Sequence, residues 1–170
     1  MASDRIVVLD NRRQIGFSFE AMLAYHGGGS PGGVAHAFKV LERSLPLLDP
    51  DSIPERRGIR IETAFGGPGA RDALELVTRA VTEQRLILDP ALARPDLGLA
   101  RERFVFRLLY RERAVTAVLR PGFVTDDFIE IARRSERTPQ EERRLDAMKA
   151  EMAARVIGAP ASDVYDVDPL

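Results

Sequence analysis

The sequence predicts an α+β fold in a single domain, with an antiparallel sheet built around a central hairpin and packed by several helices. The chain has 170 residues, of which 45% are hydrophobic, so one domain with a substantial core is expected. Helical and strand patterns are mixed without strict alternation, which favours α+β over a doubly wound α/β fold. No internal repeat or long linker divides residues 1–170.

The first half of the chain carries strand and helix patterns of moderate length. Residues 5–9 are apolar and β-branched and predict a short strand. Residues 17–26 have helical character, and a second helix follows residues 31–33 and runs to about Leu48 with apolar residues three and four apart. Residues 59–63 alternate between polar and apolar, which predicts another strand.

The second half carries the strongest strand signal. A helix is predicted from Ala70 to Val81, and a short strand at residues 86–88. Residues 104–110 and 114–119 are two apolar runs separated by a few residues, which predicts an antiparallel hairpin.

Capping signals define the helices near the C-terminus. Thr125 is predicted to cap a short helix. Residues 138–141, Thr-Pro-Gln-Glu, form a capping box with proline at the first helical position, and Gly158 and Pro160 end the helix that follows. Residues 163–170 are expected to be a short acidic tail.

Composition excludes several classes of function. The 25 basic and 26 acidic side chains leave a net charge of −1, so we expect no nucleic-acid partner. The absence of cysteine excludes disulfides, thiolate catalysis and cysteine-based metal sites. The apolar run at residues 6–9 is too short for a signal peptide, and no segment approaches the ~20 apolar residues of a membrane span. We therefore expect a cytoplasmic protein that does not contact membranes.

Two glycine clusters are the most distinctive local feature. Residues 25–32 read Tyr-His-Gly-Gly-Gly-Ser-Pro-Gly, and residues 65–69 read Phe-Gly-Gly-Pro-Gly. Each cluster precedes a predicted helix, where free backbone N–H groups and the helix dipole favour an anion. Two interpretations are open: a shared pocket for a carboxylate or phosphate, or two tight turns that let helices pack closely. Neither cluster has the spacing of a P-loop or a dinucleotide-binding fingerprint.

The pocket interpretation assigns roles to particular residues. His26 would be the acid–base group and Glu62 a second catalytic residue, because histidine titrates near neutral pH and Glu62 ends a strand beside the second cluster. The predicted ligand-binding residues are Gly27, Gly28, Gly29, Ser30, Gly66, Gly67 and Arg71. For two residues a structural role is the commoner alternative: Ser30 as a helix cap and His36 as a hydrogen-bonded histidine at a helix flank.

Both clusters resemble motifs of a known family, the FmdE-like proteins, named after a component of formylmethanofuran dehydrogenase. Residues 26–32, His-Gly-Gly-Gly-Ser-Pro-Gly, are similar to the family's His-Gly-His-x-Cys-Pro-Gly motif. Glu62-Thr63-Ala64, followed by Asp72-Ala73 and Thr78, resembles the family's Glu-Thr-Asp-Ala-Cys…Asp-Ala…Thr-Gly-Cys segment. The resemblance covers about residues 15–167. It implies an α+β fold, a homodimer and a metal, usually zinc, near the first motif.

Departures from the family motifs remove most of the implied metal ligands. Gly28, Ser30, Ala64 and Ala80 stand where the family has His, Cys, Asp and Cys. Because a zinc site needs three or four ligands, we expect neither a metal nor another cofactor.

The resulting hypothesis is a divergent, metal-independent FmdE-like enzyme without the family's cysteines. It would act on a small anionic metabolite through His26. The alternatives are a non-catalytic ligand-binding or accessory protein with a decayed metal site, and a residual metalloprotein that uses His26, Glu62 and another histidine, either within one chain or across a dimer interface.

Overall fold

The computed structural model describes residues 4–168 of the chain. The fold begins with a β-hairpin that the sequence pattern did not predict. Strands β1 (Arg5–Asp10) and β2 (Arg13–Ser18) form a separate two-stranded antiparallel sheet. The turn is formed by Asn11 and Arg12, both in the left-handed region with φ of 50° and 68°. The helix predicted from residue 17 therefore starts at residue 19, because residues 13–18 pair with β1.

A five-stranded mixed sheet forms the centre of the molecule. Its strands lie in the order β4 (Leu86–Leu88), β3 (Arg60–Thr63), β5 (Val105–Tyr110), β6 (Arg113–Leu119) and β7 (Tyr165–Val167). The predicted β5–β6 hairpin is confirmed and occupies the middle of the sheet. All neighbouring strands are antiparallel except β3 and β4, which run parallel.

Six α-helices of the described chain surround the sheet, and the α+β fold class is confirmed. They are α1 (Phe19–His26), α2 (Pro31–Leu48), α3 (Pro68–Thr78), α4 (Asp126–Arg133), α5 (Pro139–Ile157) and α6 (Ala161–Val164). None of the helices within residues 4–168 combines the length and apolarity that crossing a bilayer requires.

Local capping explains where several helices begin. The hydroxyl of Thr125 accepts a hydrogen bond from the N–H of Phe128, as predicted for a helix cap. Thr138 and Glu141 exchange both hydrogen bonds of the predicted capping box, at 3.1 and 3.0 Å. These local signals place the starts of α4 and α5 at the predicted residues.

Helix α2 is the central element of the core. It packs on α3, α5 and the inner face of the sheet, and residues 32–41 are all buried. Because α2 is covered on several sides, apolar residues occur around most of its circumference rather than along one stripe. The only ionised group buried within residues 32–41 is Lys39, which forms an ion pair with Glu42 at 2.8 Å.

The C-terminal segment is more ordered than its composition suggests. Residues 163–168, predicted to be part of an acidic tail, contain the end of α6 and all of β7. Tyr165 is fully buried, and β7 pairs with β6 along its whole length. Residues 169 and 170 of the predicted tail, and residues 1–3 of the predicted N-terminal segment, lie outside the described residues.

Candidate functional site

The two glycine clusters lie together because α2 and α3 begin side by side. A Cβ atom on Gly69 would lie 2.3 Å from the backbone oxygen of Ser30, and one on Gly33 would lie 3.0 Å from the nitrogen of Ala70. Gly69 is therefore required by close helix packing, and Gly33, which directly follows the first cluster, lies at a tight contact of the same two helices. The structural interpretation accounts for Gly69 of the second cluster.

The starts of the same two helices also line a cavity of about 440 Å³. Ser30 and Gly32 contribute from the first cluster, and Gly66 and Gly67 from the second. Helices α4 and α5 and the segment before β5 close the other sides. The walls are largely apolar, and their large apolar side chains are Phe65, Leu99, Phe104, Phe128, Ile129, Leu145 and Met152.

Every ionisable side chain that lines this cavity, within the described part of the chain, is cationic. Arg133 pairs with Glu102 at 3.2 Å, and Arg137 pairs with a glutamate of α5 at 2.9 Å. Lys149 donates through Nζ to the backbone oxygen of Gly29 at 3.0 Å. The side chain of Arg103 is exposed and has no hydrogen bond or ion pair with any described residue. The cavity therefore holds an unneutralised positive charge.

Backbone donors add to this positive field. Pro31 and Pro68 occupy the first positions of α2 and α3, so neither helix has an N–H at its first residue. The side chain of Ser30, at the start of α2, makes no capping hydrogen bond, and Gly67, at the start of α3, has no side chain to make one. The N–H groups of the second and third residues of each helix have no intrahelical acceptor, because the helical hydrogen bonds begin with Val34 and Arg71. The positive ends of two helix dipoles therefore meet beside one cavity.

His26 lies at the end of α1, outside the cavity, with both ring nitrogens occupied. Its Nδ1 lies 2.8 Å from Asp72 Oδ2, and its Nε2 accepts a hydrogen bond from the N–H of Ser30 at 3.0 Å. Because Ser30 donates to Nε2, the proton of the neutral ring lies on Nδ1 and is donated to Asp72. No ring nitrogen is free for the predicted acid–base role. The geometry instead shows His26 joining α1, the glycine loop and α3.

The other glycines of the first cluster do not line the cavity. Gly27 ends α1 with φ of 89°, and its N–H donates to the backbone oxygen of Leu23. Gly28 and Gly29 have ample space around them. A Cβ atom on Gly28 would have no neighbour within 4 Å, and one on Gly29 would lie 3.9 Å from His26 Nε2. Of the predicted ligand-binding residues, the structure places Ser30, Gly66 and Gly67 at the cavity and Gly27, Gly28 and Gly29 away from it.

Glu62 is not brought together with His26. On β3 the neighbouring residues Ile61 and Thr63 are buried, so the side chain of Glu62 lies on the opposite face of the sheet. Its carboxylate accepts hydrogen bonds from Arg60 at 3.2 Å and from Arg107 at 3.1 Å. These ion pairs give Glu62 a structural role on the outer face of the sheet.

Arg71 lies beside a second cavity rather than the first. This cavity, of about 570 Å³, lies between α3 and β4, and Phe65 and Gly66 line both cavities. The guanidinium of Arg71 is exposed and has no partner among the described residues. Of the predicted ligand-binding residues, four are thus divided between two neighbouring cavities, and Gly27, Gly28 and Gly29 line neither of them.

His36 is buried in the core rather than at a helix flank. Its Nδ1 lies 2.8 Å from the hydroxyl of Tyr165, and its ring packs against Phe104 at a centroid distance of 4.7 Å. Burial, with a smaller effect from Arg155, lowers the pKa of His36 from 6.5 to about 3. The predicted hydrogen bond is present, and the ring is neutral at neutral pH.

The charged side chains at the cavity were not recognised from the sequence. Arg133 belongs to an arginine pair that its local pattern predicts to be ordinary exposed helix charge, and Arg103 and Lys149 carry no motif at all. They come from segments 70 or more residues after the first glycine cluster. A local sequence signal therefore could not have assigned them to the same site.

Comparison with protein-family models gave no match for this chain, and comparison with curated proteins gave no significant match either. The resemblance to the FmdE-like family stays a prediction. Within residues 4–168, no group of three or more His, Cys, Asp or Glu side chains is arranged to hold a metal. Among the acidic side chains of the described residues, His26 pairs with Asp72, and Glu62 lies on another face of the sheet, so this donor set does not fit the zinc site that the resemblance implies.

Proposed function

We propose that this chain binds a small amphipathic anion, an apolar body carrying a carboxylate or phosphate, in the cavity between α2, α3, α4 and α5. One observation carries the proposal: apolar walls are combined with an exclusively cationic set of ionisable side chains among the described residues, including Arg103 without a partner. Pockets of this kind use apolar surface for affinity and a few polar groups for orientation.

The geometry favours binding over catalysis. A general base needs a free lone pair within reach of the substrate, and none of the four cations at the cavity has one at neutral pH. The hydroxyl of Ser30 lines the cavity without a histidine or carboxylate among the other described lining residues to activate it. A non-catalytic ligand-binding protein is therefore better supported than an enzyme.

The proposed ligand lies with its head group at the rim and its apolar body inside. Arg103 offers two parallel N–H groups, which suit a carboxylate or phosphate. The two helix N-termini each add ~0.3–1 kcal/mol for a nearby anion at low ionic strength. Burying the apolar body between Phe104 and Phe128 contributes ~25 cal/mol per Å².

Titration calorimetry with three ligands of one chain length tests the proposal: octanoate, octyl phosphate and neutral octanol. We expect both anions to bind at least about tenfold more tightly than octanol, a difference of ~1.4 kcal/mol. We expect Arg103→Gln to weaken binding of the anions about tenfold and to leave octanol unchanged. Arg143→Gln is the matched control, because Arg143 is exposed, unpaired among the described residues and away from the cavity.

A second pair of variants tests the location. Ala132 lines the cavity from α4 and is exposed, so Ala132→Phe fills space without disturbing the core. Ala147→Phe adds the same ring to an exposed position of α5 that does not line the cavity. Loss of octanoate binding in Ala132→Phe but not in Ala147→Phe would support the location of the site in this cavity. Equal affinity for octanoate and octanol, or an unchanged affinity in Arg103→Gln, contradicts the proposal.

A further inference from the structure

The second cavity is a groove along an edge of the sheet. Strand β4 is an edge strand, and its Leu86 and Leu88 are in register with Ile61 and Thr63, the inward-facing residues of β3. Both leucines therefore face α3, whose Leu74 lines the opposite wall. The groove has an apolar floor bounded by a strand on one side and a helix on the other.

The edge of β4 offers unpaired main-chain groups. Ile61 N–H donates to the oxygen of Arg85 and Asp89 N–H donates to the oxygen of Thr63, so these alternate residues face β3. The N–H of Leu86 donates a hydrogen bond to the backbone oxygen of Ala80 at 3.0 Å. The C=O of Leu86 and the N–H of Leu88 point outward and have no partner among the described residues.

The three residues of this edge strand include neither a charged residue nor a proline. Natural edge strands carry charges or proline that discourage further pairing. Here β4 reads Leu-Ile-Leu, and Ile87 and Leu88 are 37% and 55% exposed. Leu88 is the most exposed large hydrophobic residue in the described part of the chain. An exposed apolar edge next to an apolar groove is typical of an interaction surface.

Arg71 supplies a charge at one end of the groove. It is the only ionisable side chain lining the groove, and it has no partner within residues 4–168. Helix α3 connects the parallel strands β3 and β4 and runs back along them, so its first turns lie beside the end of β4. The position of Gly66, just before α3, agrees with this, because a Cβ there would lie 3.6 Å from Leu88 Cδ2.

We propose that this groove binds the extended C-terminal segment of another protein, added as a strand parallel to β4 with its terminal carboxylate on Arg71. In a parallel pair, one residue of the added strand forms hydrogen bonds to the two residues that flank its partner on the neighbouring strand. Here that partner is Ile87, and the added residue would donate its N–H to Leu86 C=O and accept from Leu88 N–H. Its alternate apolar side chains enter the groove, while the carboxylate meets the single charge. The short edge, three residues long, suits a chain terminus.

The experiment selects peptides on the intact chain from a bead library with free C-termini and four randomised terminal residues. Selected peptides are dye-labelled and measured by fluorescence anisotropy. We expect apolar residues at alternate positions and at least a tenfold loss of affinity on amidation of the C-terminus. Arg71→Gln should cause a similar loss and Arg71→Lys a smaller one, while the exposed control Arg143→Gln, unpaired among the described residues, leaves affinity unchanged.

Leu88→Pro tests the main-chain hydrogen bond. Because the Leu88 N–H points outward, proline at this edge position breaks no hydrogen bond within the sheet, and thermal unfolding checks that the variant is folded. We expect it to lose peptide binding, whereas Leu88→Ala, which keeps the N–H, loses less. Octanoate should not compete with the peptide, which separates this groove from the first cavity.

Three results would overturn the proposal. The first is a selection that enriches no terminal sequence on the native chain. The second is a set of peptides that bind equally well as amides or to Arg71→Gln. The third is a dimer in sedimentation experiments that Leu88→Pro dissociates, because a second copy would then occupy this edge.

Discussion

The imidazole of His26 donates from Nδ1 to the carboxylate of Asp72 over 2.8 Å, which joins the end of α1 to the second turn of α3. Its Nε2 simultaneously accepts from Ser30 at the start of α2. One side chain, 8% exposed, thus connects three helices. This arrangement predicts that His26 contributes to stability.

Replacing His26 with alanine should lower the free energy of unfolding by ~1–3 kcal/mol, because Ser30 N–H and the carboxylate both lose their partner. Asp72→Asn should lower it less, since the amide oxygen still accepts from Nδ1. Urea unfolding measures both variants, with Asp146→Asn, an exposed acid without a partner among the described residues, as control. A His26→Ala variant as stable as the wild type would contradict the structural role.

Protonation of His36 should destabilise the protein in acid. Its pKa is about 3 when folded against 6.5 when exposed, so between these values the unfolded chain binds one more proton than the folded chain. The free energy of unfolding should therefore fall as pH decreases from about 6.5, by up to ~1.4 kcal/mol per pH unit from this group. Well above pH 6.5 the residue is neutral in both states and contributes no pH dependence.

The variant His36→Gln isolates this contribution. Glutamine has no titrating group and can keep a hydrogen bond to Tyr165. The difference in unfolding free energy between wild type and variant, measured by urea unfolding from pH 7 to pH 4, should change in the variant's favour as pH falls. A difference that is constant across this range would contradict the prediction, because it would mean that His36 has the same pKa in the folded and unfolded chains.

Two glycines in neighbouring clusters should respond in opposite ways to alanine. In Gly69→Ala the new Cβ would lie 2.3 Å from the backbone oxygen of Ser30, so α2 and α3 must separate. We expect a loss of about 3 kcal/mol or more. Gly28 lacks a positive φ and has open space around it, so Gly28→Ala should be neutral or stabilising by up to ~1 kcal/mol. Thermal unfolding compares the two, and equal effects would contradict the packing at Gly69.

Arg56 should be far more important to stability than its neighbour Arg57. The guanidinium of Arg56 is largely buried and donates to the backbone oxygens of Leu76 and Val77, at the end of α3. Arg56→Met should cost ~2–4 kcal/mol, because the carbonyls and Asp10 lose a buried partner. Arg57 is 44% exposed, so Arg57→Met should cost less than ~1 kcal/mol. Urea unfolding of both variants tests the ranking, which similar losses would contradict.

Local sequence patterns were sufficient for the elements whose stability is local. Helix α5 carries its capping box within four residues, and the β5–β6 hairpin joins two adjacent apolar runs. Strands β2 and β7 could not be predicted in this way. The pattern of β2 is weak on its own, and β7 has three residues that become a strand only by pairing with β6.

The candidate site, like the fold, has features that the sequence predicts and features that only tertiary packing determines. From the residues alone it follows that two glycine-rich segments precede helices and that an anion would suit their N-termini. Tertiary packing was needed to show that Gly69 serves helix contact, that both nitrogens of His26 are occupied, and that Arg103 and Lys149 face the same cavity. The physical reason is range: backbone preference and capping act over a few residues, whereas charge and cavity shape depend on residues far apart in the chain.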